Sequence, residues 1–117
     1  MRSLTVVSLV FLIAAFGSPA RADDRSYVTG DDYMNMSPAE RTAYILGAHD
    51  MQARLVKEFE GTTEAAAFIE RVLRCTASMT TTQLRDYIDE YMARDATYRT
   101  YTMASNFRAA LHEKCPP

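Results

Sequence analysis

The chain has 117 residues, of which 13 are lysine or arginine and 15 aspartate or glutamate, for a formal net charge of −2. That length holds one domain, and that balance excludes a basic nucleic-acid binder and a disordered polyelectrolyte. Hydrophobic residues at 48% and charged residues at 24% are ordinary globular composition; only 4 glycines and 4 prolines favour helices with short connections over a multi-stranded barrel.

Met1-Arg2-Ser3 is a short basic opening, Leu4 to Phe16 is almost wholly apolar, and Ala20-Arg21-Ala22 is a small-x-small cleavage site. The apolar run is shorter than the ~18–20 residues that span a bilayer. Together the three parts predict a secretory signal peptide over 1–22, cut after Ala22, and a single domain over 23–117. No lipid-bearing cysteine follows the cut and no Arg-Arg pair precedes the apolar core, so general export to a periplasmic location is expected. Loss of Arg2 and Arg21 takes the net charge to −4. Nothing polybasic remains for anionic lipid or nucleic acid.

Residues 23 to 36 read as irregular, with Thr29-Gly30-Asp31-Asp32 as a turn signal. Ser37-Pro38-Ala39-Glu40 is a helix start: Ser37 caps, Pro38 suits the first helical position, and Glu40 completes a capping box. Tyr44, Ala48, Met51, Leu55 and Phe59 then form one apolar helical stripe, which Gly61 is placed to stop. Thr62-Thr63 and Glu64 open a second helix carrying Phe68, Ile69, Val72 and Leu73, which ends near Cys75. Thr80-Thr81-Thr82-Gln83 is a second capping box, continued by Leu84, Tyr87, Ile88, Tyr91 and Met92. Asp95 is expected to cap a last helix with Tyr101, Ala104, Phe107 and Leu111, closed by Pro116 and Pro117. No run alternates with period two over strand length. The expected fold is all-α, a compact bundle of about four helices.

Cys75 and Cys115 are 40 positions apart, and no C-x-x-C is present. In an oxidising compartment two cysteines in a small domain pair; two free thiols for metal or redox work are the alternative. If the last two helices form an antiparallel hairpin connected near Asp95, both cysteines lie at its open end and the bond clamps it.

Chemistry-bearing motifs are sparse. His49 adjoins Asp50, but neighbours on a helix point about 100° apart and make no dyad. His112 sits in the last turn of the last helix, where a cation complements the dipole. Neither histidine has a partner at the spacing of a helical zinc site, so no metal ligand is assigned. Met34-Asn35-Met36 could offer two thioethers to Cu(I), against the preferred reading of apolar filler. The carboxylates Glu58, Glu60, Asp86, Asp89 and Glu90 fall between stripe positions, where solvated charge belongs. No nucleophile elbow, P-loop, Rossmann fingerprint or zincin motif occurs. No catalytic residue, cofactor or enzymatic activity is expected. Gly47, inside the first helix, is expected to mark a helix crossing, or else a flat patch for a partner.

Three stretches carry a resemblance: Val28-Thr29-Gly30-Asp31-Asp32-Tyr33; Ala43-Tyr44-Ile45-Leu46-Gly47-Ala48-His49-Asp50; and Cys75 with Thr82-Gln83-Leu84, Tyr91, Ala104, Ala110-Leu111 and Cys115. In this order they resemble the Rap/Tai family of secreted immunity proteins, small helical periplasmic domains that neutralise peptidoglycan amidase effectors of type VI secretion. The chain departs from that pattern with Met34 and Met36 where a further cysteine often stands, Thr76 after the first hairpin cysteine, and Arg94-Asp95-Ala96 in place of a proline turn. The resemblance implies a protein partner, an amidase effector inhibited by occlusion, with a homodimer left open. Gly30, Asp31, Asp32, Gly47, His49 and Asp50 are the candidate partner-binding residues. The rival from another class is a periplasmic acid-stress chaperone, also helical, exported and single-disulfide.

Overall fold

The protein is described from a computed structural model over residues 27–58 and 64–117, without the side chains of 56–58. The expected signal peptide, Phe59, Glu60, the Gly61 stop and the Thr62-Thr63 start lie outside the described residues, as does the side chain of Glu58. Within them the chain folds as α1 (Gly30–Asn35), α2 (Pro38–Glu58), α3 (Glu64–Thr76), α4 (Thr81–Ala93), a 3-10 turn (Ala96–Thr100) and α5 (Met103–Lys114). The fold is all-α, and no strand is present among the described residues.

The segment read as a turn at Thr29-Gly30-Asp31-Asp32 is a helix start. Thr29 Oγ1 accepts from the Asp32 amide at 3.2 Å, and Asp32 Oδ2 accepts from the Thr29 amide at 2.9 Å. That reciprocal capping satisfies two orphan donors of α1. A 6-residue helix is too short to show periodicity, which is why pattern alone missed it. Its Tyr33 is fully buried. The chain before α1 pairs with the chain before α5: the Gly30 amide donates to Tyr101 O at 2.9 Å and the Met103 amide to Val28 O at 2.6 Å.

α2 starts as its sequence predicts, with the Ser37 amide donating to Glu40 Oε2 at 2.7 Å and the Glu40 amide to Ser37 Oγ at 3.3 Å. Its inward face differs from the expected stripe. Ile45 is fully buried and Tyr44 and Ala48 pack against the core, whereas Met51 is 59% exposed. The apolar residues of α2 outnumber the positions its neighbours α3 and α4 can cover, so packing selects among them.

α3 buries Ala66, Phe68, Val72 and Thr76; α4 buries Leu84, Ile88, Tyr91 and Met92. The Thr80–Gln83 capping box forms in full. Asp95 caps the 3-10 turn, accepting from the Thr97 amide at 2.8 Å, rather than the last helix. α5 has its own cap, Thr102, whose Oγ1 accepts from the Ser105 amide at 3.3 Å. Tyr101 and Ala104 are therefore exposed, and the buried face of α5 is Met103, Asn106, Phe107, Ala110 and Leu111. Buried Asn106 is satisfied by donating Nδ2 to Tyr98 O at 2.7 Å.

Cys75 and Cys115 are bonded, with Cα atoms 5.9 Å apart. Cys75 occupies the last turn of α3 and Cys115 caps the C-terminus of α5. The bond closes the segment containing α4 and α5 and also ties α3 to α5.

Candidate functional site

The six candidate partner-binding residues fall into two groups that pack against different elements. Gly30 sits where the chain passes closest: a Cβ there would meet Tyr98 O at 2.3 Å, Met92 Cε at 2.7 Å and Arg99 Cα at 2.9 Å. Asp31 pairs with Arg99 at 3.1 Å and Asp32 is engaged in the Thr29 capping box. Gly30 and Asp31 thus seat α1 on the 3-10 turn, and Asp32 caps α1 itself.

Gly47 is the reverse case. It was expected at a helix crossing, yet a Cβ there would meet nothing within 4 Å. It is exposed on the outer side of α2, together with Ala43, Leu46, Asp50 and Met51. Leu46 at 55% and Met51 at 59% are two of the large apolar residues most open to solvent. Residues 43, 46, 47, 50 and 51 recur at helical spacing, so they share one face.

His49 turns the other way. Its Nε2 lies 2.9 Å from Thr76 Oγ1, and the Thr76 hydroxyl donates to Val72 O at 2.9 Å. With its only proton committed to that carbonyl, Thr76 can only accept from His49, which fixes the Nε2–H tautomer. The hydrogen bond therefore runs in the direction opposite to base activation of the Thr76 hydroxyl. Burial lowers the His49 pKa, with the Asp50 carboxylate opposing. Beside this pair is a cavity of about 50 Å³ lined by Ile45, Leu46, Met79 and Leu84 among others, of the order of one or two waters.

Of the carboxylates assigned to solvated positions, Asp86 and Glu90 are exposed, but Asp89 is 23% exposed and central. Tyr33 Oη donates to Asp89 Oδ1 at 2.8 Å. Arg41 Nε lies 3.2 Å from Asp89 Oδ2, an ion pair off the hydrogen-bond axis, and Arg85 Nε lies 3.7 Å from the same oxygen. Burial, reinforced by Asp89, pushes the Tyr33 hydroxyl far above the usual phenol range. Arg41 also donates to Met36 O at 2.9 Å. This hub binds α1 and α2 to α4. The side chains of Met34 and Met36 are half-buried against the core, as apolar filler would be.

A second cluster was not legible in the spacing. The Phe68 ring of α3 stacks on His112 of α5, with centroids 4.4 Å apart and planes at 16°. The guanidinium carbons of Arg71 and Arg108 lie 5.4 Å and 5.5 Å from the same ring centroid. His112, read as a dipole complement, therefore also serves as a stacking partner. Arg108 and His112 are four apart on α5 and Phe68 and Arg71 three apart on α3, but no spacing along the chain sets one pair beside the other.

Compared with known proteins, the chain matches no family model, no curated protein and no solved structure.

Proposed function

We propose that this protein is an exported protein-binding domain without catalysis of its own, and that it acts in the periplasm as an immunity protein that covers a peptidoglycan amidase effector. The observation that carries the binding role is the outer face of α2. An interior helical glycine costs about 1 kcal/mol against alanine, and no internal contact accounts for Gly47. Exposed Leu46 and Met51 flank it and Asp50 adds a charge at the edge. A flat apolar strip of this kind suits close approach of another protein's backbone. The amidase as partner comes from the resemblance of the three stretches to Rap/Tai proteins, two of which contribute Gly30 and Gly47.

The test is co-expression with a secreted amidase from a neighbouring reading frame, directed to the periplasm. The expected result is survival and a recoverable complex. Gly47→Trp should remove protection while the protein stays folded, because the added side chain points into open space. Cells that die as fast with the protein as without it, and no complex, would reject the reading.

A further inference from the structure

The geometry points to a second binding site, in the groove that α3 and α5 form beside Gln52 and Leu55 of α2, that takes an acidic–apolar peptide segment of another protein. It lies apart from the outer face of α2 and does not depend on the amidase reading.

Arg41, Arg74, Arg85, Arg94 and Arg99 each form an ion pair with a carboxylate. Arg71 and Arg108 do not pair with one among the described residues. Arg71 donates Nε to Cys115 O at 2.9 Å, which holds its guanidinium beside Phe68. Arg108 and His112 stand one helical turn apart on α5 and are exposed. Two uncompensated arginines and a histidine thus gather around one aromatic ring in a protein whose net charge is −2. They surround a cavity of about 200 Å³, and Glu64 on its wall forms no ion pair with either arginine.

Next to it is a second cavity of about 200 Å³ that shares Phe68 and Arg108 but is otherwise walled by Gln52, Leu55, Ala65, Ile69 and Ala104. The cationic half fits carboxylates, for which arginine offers a planar fork of donors. The apolar half fits a branched aliphatic side chain. A segment with leucine beside glutamate presents both groups at once.

The experiment is a titration of the uniformly 15N-labelled, disulfide-bonded protein with the blocked peptide acetyl-Leu-Glu-Glu-Leu-Glu-amide. Three comparisons run beside it: lysine in place of glutamate, serine in place of leucine, and inorganic phosphate alone. Saturable amide shifts are expected over α3 and α5 around Phe68, Arg108 and His112, with none centred on Leu46 or Met51. Affinity should fall about tenfold for Arg108→Gln and for the serine peptide, and be lost for the lysine peptide. Arg108 is exposed, so Arg108→Gln keeps the fold, which the dispersion of its own spectrum verifies; Arg108→Glu should abolish binding. Shifts that ignore both Arg108 variants, that map to another face, or that phosphate or the lysine peptide reproduces equally would overturn the proposal. Because the titration uses purified protein and no amidase, its outcome is separate from that of the co-expression test.

Discussion

Gly30 and Tyr98 touch so closely that the Tyr98 carbonyl oxygen occupies the place of a side chain at position 30: a Cβ would lie 2.3 Å from it. The neighbour is backbone, held by the 3-10 turn and by the Asn106 amide that donates to the same oxygen. It has little room to yield. Gly30→Ala should therefore destabilise by about 1–3 kcal/mol through overpacking. Gly47→Ala, in open space inside α2, should stabilise by about 1 kcal/mol through helix propensity. Urea unfolding of the two variants beside the parent measures both signs in one experiment. A stabilised Gly30→Ala would mean that the α1 seat is not formed.

The Cys75–Cys115 bond closes a loop of 40 positions. Chain entropy gives such a crosslink about 4 kcal/mol, a large share of a small domain's stability. Reduction, or replacement of both cysteines by serine, should lower the unfolding midpoint accordingly. Native protein treated with an alkylating agent without reductant should gain no mass.

Asp89 gathers Tyr33, Arg41 and Arg85. Asp89→Ala would leave the buried Tyr33 hydroxyl without its acceptor and remove the carboxylate facing Arg41 and Arg85, although Arg85 keeps its pair with Asp86. The cost should be about 2 kcal/mol, below the ~3–5 kcal/mol of a fully buried pair, because water still reaches part of the site. Tyr33→Phe, which removes only the donor, should cost about 1 kcal/mol. Equal stabilities for the parent and Asp89→Ala would show that the hub contributes nothing.

His49 makes stability depend on pH in a definite direction. Burial lowers its folded pKa below the unfolded value of about 6.5, so folding favours the neutral ring. The unfolded chain takes the proton first as pH falls. The His49 contribution is complete above the unfolded pKa and declines as pH drops through it toward the folded value. Glu40, Asp95 and Glu113 have lowered pKa values from their hydrogen bonds to Ser37, Thr97 and Arg94, and their contributions are lost only at more acidic pH. Stability should thus fall as the pH drops through the unfolded value of about 6.5, and His49→Gln, whose amide can still donate to Thr76, should flatten that slope. Parallel slopes for parent and variant would locate the titrating group elsewhere.

Local signals in the sequence determined the helix starts at Ser37 and Thr80 and the buried positions Phe68, Val72, Leu84, Ile88 and Met92. They also determined that the two cysteines would pair. A cap is settled within four residues and a stripe within a few turns, so neither needs a partner to be read. Tertiary structure decided the rest. It chose Ile45 over Met51 as the inward residue of α2, because α3 and α4 cover only part of an apolar helix. It turned Asp89 from surface charge into a hub by bringing Tyr33 from 56 positions away. It exchanged the roles of the two glycines: Gly30, read as a turn, became the close contact, and Gly47, read as the crossing, was left open. The Phe68 cluster also formed only when Arg108 and His112 arrived beside it on α5. Each of these outcomes depends on which atoms lie across a helix interface, and that is a matter of distance in space, which spacing along the chain does not encode.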